Sequence, residues 1–177
     1  MLGGHARVIA EIVHKNNDKL IGMLDDNQTG ENIIGKVCDI EKIYNNDTDI
    51  EFIIAIGNNS IRNEIYKEYT NLINYTAIHP TSVISDTAKI GKGTVIGANA
   101  VINANSIVKG NCIINTGTII EHDCYVEEGA HLSYRVTIGA GTKIGKMAYI
   151  EAGVLVDRNI QIKQNEHIIM GSIIRGN

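Results

Sequence analysis

The stretch IGKGTV IGANAV INANSI VKGNCI INTGTI (Ile90–Ile119) repeats with a period of six. An aliphatic residue opens each hexad, and a small residue (Thr94, Ala100, Ser106, Cys112, Thr118) takes fifth place. Followed in both directions, the phase holds for sixteen hexads, from IHPTSV at Ile78 to IIMGSI ending at Ile173. A period of six fits neither a helix nor a hairpin meander. It fits a coil whose sides are one hexad long, with the first residue pointing inward. Each side then pairs with the side above it, about 4.8 Å away. Stacked coils bury a column of aliphatic residues as their core.

The chain ahead of Ile78 has a different rhythm. Val8, Ile9, Ile12 and Val13 in HARVIAEIVHK (His5–Lys15) fall at helical spacing. KLIGML (Lys19–Leu24) and IEFIIAIG (Ile50–Gly57) are continuous apolar runs, as expected of strands buried on both faces. Asn58, Asn59 and Ser60 offer capping side chains to a helix over IRNEIYKEYTNL (Ile61–Leu72), with Ile61, Ile65 and Tyr69 on one face. Alternating strands and helices predict a small parallel sheet. The expected division is 1–77 and 78–177.

Bulk properties narrow the function. The chain has 177 residues, 44% of them apolar, enough for one large or two small cores. Its net charge is -4 and no Lys/Arg stripe forms, so phosphate-driven nucleic-acid binding is not expected. No run is long and apolar enough to span a membrane, and no signal peptide is recognised. Cys38, Cys112 and Cys124 form no CxxC, which suggests reduced thiols and a cytoplasmic setting. Cys112 and Cys124 sit at the small inward position. Core filler is the leading reading for them, and a covalent acyl-cysteine the alternative.

Chemistry concentrates in IEHDCYVEEGAH (Ile120–His131). Transfer of an acyl group to an amine or hydroxyl needs a group that removes a proton as the nucleophile attacks. Histidine is suited to that task, and a carboxylate on its other ring nitrogen fixes the tautomer and raises basicity. His122 with Asp123 or Glu121 supplies such a pair.

GGHA (Gly3–Ala6), LDDN (Leu24–Asn27), AIGNNSIRNEIY (Ala55–Tyr66) and INTGTIIEHDCYVEEGAHLS (Ile114–Ser133) occur in one order. Together they resemble the two-domain sugar acetyltransferases. That group contains the UDP-amino-sugar N-acetyltransferase of bacillosamine synthesis and the sialic acid O-acetyltransferases. The resemblance covers nearly the whole chain. It implies a small Rossmann-like α/β domain followed by a left-handed parallel β-helix with three hexads per coil. It makes acetyl-CoA the co-substrate, with no metal, and His122 the base supported by Asp123. It places Asn115, His131, Ala140, Ala152 and Met170 at the coenzyme, with a backbone N–H at Ala140 for the oxyanion. It directs Gly3, Gly4, His5, Asp25, Asp26 and Gly57 at a nucleotide-linked sugar. A glycine turn at a helix N-terminus favours a phosphate there, and Asp25 or Asp26 at a strand end suits a ribose or base.

His131 lies half an 18-residue coil beyond His122, so the two should project apart on one chain. They would meet only across subunits, which predicts a homotrimer with sites between protomers. The expected reaction is direct acetyl transfer in a ternary complex. The acceptor is the amine of a UDP-4-amino sugar, or alternatively a sialic acid hydroxyl. A trimeric scaffold without activity and a metal-dependent hydratase are the readings from other classes. Departures from the family pattern bear on activity. Only Met1 and Leu2 precede the glycine turn, where the family has a buried strand. The sequence given ends at Asn177, where the family continues with a cap. Glu166 takes an inward small position and Met170 a usual glycine. Tyr134 and Arg135 replace a small pair, and Arg135 either grips a coenzyme phosphate or blocks the pantetheine track.

Overall fold

The computed structural model describes residues 3–176; Met1, Leu2 and Asn177 lie outside them. From Ala77 onward the chain winds into a triangular column of two-residue strands, all paired in parallel. The first face stacks Ala77–Ile78, Val95–Ile96, Ile113–Ile114, His131–Leu132, Tyr149–Ile150 and His167–Ile168. The second stacks Val83–Ile84, Val101–Ile102, Ile119–Ile120, Thr137–Ile138, Leu155–Val156 and Ile173–Ile174. The third stacks Lys89–Ile90, Ile107–Val108, Tyr125–Val126, Lys143–Ile144 and Gln161–Ile162. Successive coils are in register one full turn apart, as in Ile119 beside Thr137 and His131 beside Tyr149. Three hexads therefore close one coil, as expected.

The second residue of each strand points inward. Ile96, Ile102, Ile114, Ile120, Leu132, Ile138, Ile144 and Ile150 lie within the column and are almost fully buried. Thr94, Ser106, Thr118 and Thr142 are buried at the fifth hexad position, where each hydroxyl donates to a backbone carbonyl of a later hexad. The fourth hexad position turns the corner in the left-handed region. Asn99, Asn105, Asn111 and Asp123 hold it with φ between 55° and 60°. Asn and Asp tolerate that region because their side chains bond locally. Arg135 and Met147 occupy it too, at φ 58° and 60°. Glu166 does not enter the core: it is half-buried and its Oε2 accepts from Lys163 N at 2.6 Å. Coil spacing leaves no room for a side chain at Gly139, where a Cβ would lie 2.6 Å from Arg158 N.

Ahead of the column, helix α1 (Gly4–Lys15) packs Ile9, Ile12 and Val13 onto Ala77 and Val95 of the first face. Strand β1 (Met23–Leu24) pairs in parallel with β2 (Ile33–Gly35). A 3-10 turn (Val37–Asp39) leads into α2 (Ile40–Asn46), and α3 (Asn59–Glu68) follows. Asn58 caps α3, its side chain accepting from Ile61 N at 3.1 Å. Three expectations are corrected here. The Lys19–Leu24 run is strand only at Met23–Leu24, and Leu20 and Ile21 are exposed. The Ile50–Gly57 run forms no ladder: Ile53, Ile54 and Ala55 pack into apolar clusters, and only Phe52 bridges to Ile73. In α3, Ile61 is 48% exposed, while Arg62 and Asn63 turn inward. Polar bonds to the column, described below, outweigh the apolar pattern of that helix.

Candidate active site

His122 and Asp123 stand at the corner between the second and third faces. Asp123 adopts φ 60°, which aims its carboxylate back at its neighbour. His122 Nδ1 lies 2.7 Å from Asp123 Oδ2. One coil below, Asn105 Nδ2 donates to Asp123 Oδ1 at 3.2 Å. The bonds from His122 and then Asn105 hold the Asp123 carboxyl below its usual pKa. An ionised carboxylate only accepts, so Nδ1 carries the proton and the Nε2 lone pair is free. Both side chains are more than half exposed, so a reactant has access. The Glu121 carboxylate makes no bond to the imidazole; Asp123 alone supplies the partner.

Directly above His122 sits Ala140, for the carbonyl of His122 accepts from Gly141 N at 3.0 Å. Among the described residues the Ala140 N–H has no acceptor, whereas its carbonyl takes Asn159 N at 2.8 Å. Asn115, Ala152 and Met170 lie instead at the corner between the first and second faces. Asn115 Oδ1 accepts from Thr116 N at 2.7 Å. Ala152 stacks beneath Met170, and its carbonyl accepts from Gly171 N at 3.0 Å. Met170 N donates to Glu151 Oε2 at 2.8 Å. Four of the five expected coenzyme residues thus flank the second face, Ala140 at one edge and Asn115, Ala152 and Met170 at the other.

His131 opens a strand of the first face, just past the area that α1 covers. Its Nδ1 lies 3.2 Å from the Gly57 carbonyl, while Nε2 is buried without a partner. Burial, and then the charge of Arg62, push its pKa down to about 4. His5, in the first turn of α1, is likewise lowered to about 4, by burial and then by Arg62. A ladder of rings continues outward from His131: Tyr149 at 5.0 Å and His167 a further 5.0 Å on. His167 Nε2 lies 2.8 Å from Glu151 Oε1.

Gly3 caps α1 without a side chain, and no acidic residue occupies the first turn. The amide groups there suit an anion. A Cβ at Gly4 or at Gly57 would meet nothing within 4 Å. Asp25 Oδ1 accepts from Asn27 N and Gln28 N, and Asp26 Oδ1 accepts from Val37 N at 2.9 Å. Both aspartates therefore organise the loop after β1. The structure brings His5, Gly57 and His131 together, and keeps His122 on another corner.

The sequence pattern assigned Asn59 only a capping role, and Arg62, Asn105 and Tyr149 none. Arg62 is 1% exposed and among the described residues bonds to no carboxylate. Asn58 and Asn59 ahead of Arg62 in a capping sequence were the visible signal. Cys112 and Cys124 are buried in the column, and burial pushes both thiols up, Cys112 to about 12. Among the described residues no group of three His, Cys, Asp or Glu is placed to hold a metal.

A parallel column of hexads, three to a coil, with an α/β region docked on one face, is the left-handed β-helix fold. Residues 2–69 match the model of the PglD N-terminal domain. UDP-N-acetylbacillosamine N-acetyltransferase of Bacillus subtilis (strain 168) is 35% identical over 102 residues, 52% of this chain and 46% of that protein. The chain thus spans under half the length of that curated relative. A mutant of perosamine N-acetyltransferase from Caulobacter crescentus, in complex with CoA and GDP-perosamine, superposes with TM-score 0.94 at 24% identity, covering 99% of this chain and 86% of that one. The acetyltransferase domain of PglB from Neisseria gonorrhoeae FA1090, in complex with acetyl coenzyme A, superposes with TM-score 0.73 at 27% identity, covering 94% and 92%. The chain is thus similar to hexapeptide-repeat sugar acetyltransferases over both its α/β region and its column.

Proposed function

We propose that this protein transfers the acetyl group of acetyl-CoA to the amine of a nucleotide-linked amino sugar. The observation that carries the proposal is the exposed His122–Asp123 pair, with the Ala140 N–H free one coil above it. As the sugar nitrogen bonds to the thioester carbon, its proton passes to His122 Nε2. The oxyanion so formed accepts from Ala140 N–H. The C–S bond then breaks, and the departing thiolate takes a proton. Asp123 keeps the imidazole in the reactive tautomer and stabilises its charged form.

Residues 1–77 hold the acceptor in this reading, with its phosphates at Gly3 and Gly4, and residues 78–177 hold the coenzyme. Similarity to the perosamine and N-acetylbacillosamine enzymes supports a nucleotide-sugar acceptor over a sialic acid. The outward residues of the second face support a homotrimer. Val83, Leu155 and Ile173 are 63%, 45% and 56% exposed, an apolar stripe that self-association would cover. Trimer assembly along this face would set His122 at the edge of an intersubunit groove.

The test is release of free thiol from acetyl-CoA in the presence of UDP- or GDP-linked 4-amino sugars, with sialic acid as the competing acceptor. Thiol release dependent on an amino sugar is the expected result. Release with sialic acid alone selects the O-acetyltransferase reading. Release with neither, together with no thermal stabilisation by acetyl-CoA, selects a scaffold.

A further inference from the structure

Arg62 and Asn59 read three consecutive turns of one corner. Arg62 Nε donates to the Asn111 carbonyl at 3.1 Å and Nη2 to the Gly129 carbonyl at 2.8 Å. Asn59 Nδ2 donates to the carbonyls of Met147 at 2.9 Å and Ala148 at 3.3 Å. Asn111, Gly129 and Met147 are the left-handed residues of successive coils. The two side chains are themselves joined, Arg62 Nη2 donating to Asn59 Oδ1 at 2.7 Å. Arg62 Nη1 then turns back to its own segment and holds the carbonyls of Ile56 and Gly57, each at 3.1 Å.

The Gly57 carbonyl is thereby shared between Arg62 and the ring of His131. A carbonyl only accepts, so Nδ1 of His131 must carry the proton. Its Nε2 is then an acceptor, buried and without a partner among the described residues. No carboxylate bonds to this ring. Arg62, His5 and Tyr149 are the polar neighbours, and the guanidinium opposes a second proton.

We propose that Asn59 and Arg62 are positioning residues that hold Gly57 against His131, so that this ring is fixed in its Nδ1–H form and in one orientation at the edge of the site. This rests on the acetyltransferase reading and adds a division of labour to it. The carboxylate-paired His122 moves a proton, whereas His131, with Nε2 buried, is a fixed part of the wall that the clamp holds in place. The same clamp ties the acceptor-side segment to the column, so the two sides of the site share one reference frame.

The test is histidine 15N NMR on the whole ligand-free protein, with H131Q to assign the His131 signals. His131 is expected to carry its proton on Nδ1 and to stay uncharged from about pH 7.5 to about 5.5. R62K, which keeps the charge but loses the fork, is expected to give mixed tautomers. It is also expected to lower kcat/KM on the order of 100-fold. N59A gives the same spectral readout should R62K fail to fold. A wild-type His131 protonated at Nε2 overturns the proposal, as do unchanged His131 signals or an unchanged rate in R62K. If wild type transfers no acetyl to any amino sugar, the acetyltransferase reading falls, and the spectra still decide the clamp.

Discussion

Nδ1 of His122 and Oδ2 of Asp123 stand 2.7 Å apart at an open corner of the column. A histidine so held has its reactive nitrogen turned to solvent and its tautomer chosen in advance. Removing the ring, in H122A, should lower kcat by about 100- to 10,000-fold, the usual contribution of a positioned base. D123N should lower it less, since the ring survives without its partner. Both variants should elute as wild type from a sizing column, because neither side chain is buried. Steady-state rates on an amino-sugar acceptor check both.

Asn105 helps keep Asp123 ionised. N105A removes the second of the two bonds that lower this carboxyl, so its pKa should move up toward the ordinary value. Carboxyl 13C titration reads the shift directly. The interaction is present above the ordinary carboxylate range and is lost as pH falls through the lowered value. Whatever stability N105A loses should therefore show near neutral pH and vanish as pH falls through the lowered value.

Acid should weaken the seam between the α/β region and the column. His5 and His131 sit near pKa 4 in the fold and near 6.5 when unfolded. Between those values the unfolded chain holds more protons, so stability falls as pH drops through that window. Each group contributes up to about 1.4 kcal/mol per pH unit. Urea midpoints across the window should slope less in the H5N/H131N double variant. An equal slope would show that neither ring is buried in its neutral form.

The apolar second face gives a test of assembly. A charge at its centre, as in I119D, would be buried without a partner in any trimer packed through this face. Light scattering should report three protomers for wild type and one for the variant. Acetyl transfer should fall with the trimer if the groove is shared. A trimeric I119D would place the subunit contacts elsewhere.

Arg135 turns a corner at φ 58°, where most side chains crowd the next carbonyl. R135G should relieve about 1 kcal/mol and raise the melting temperature. The same variant separates two roles for this side chain. A weaker KM for acetyl-CoA indicates a phosphate contact, and a stronger one an obstruction.

The column was legible because its constraint is local and repeated. Each aliphatic opener from Ile96 to Ile168 is buried where the period puts it. The His122 pair was legible because adjacent residues at a turn can bond without help from the fold. The α/β region was read less well. A continuous apolar run such as Ile50–Gly57 signals burial, but a ladder also needs a neighbour, which the run itself does not specify. Arg62 was hidden for the opposite reason. Arginine normally marks a solvated face, and only the stacked carbonyls of Asn111 and Gly129, remote in sequence, make its burial favourable. His131 was placed by its spacing, but its Gly57 partner is 74 residues away.

The grip of Asn59 and Arg62 on three stacked corners makes the 18-residue period a ruler. Inserting a whole coil beyond Met147 would lengthen the post and leave the docking points where they are. A single extra hexad between Asn111 and Met147 would swing a different corner under the helix and part the amide from its carbonyls. The column should therefore tolerate growth at its far end in any amount, and within the gripped segment not even by one side of the triangle.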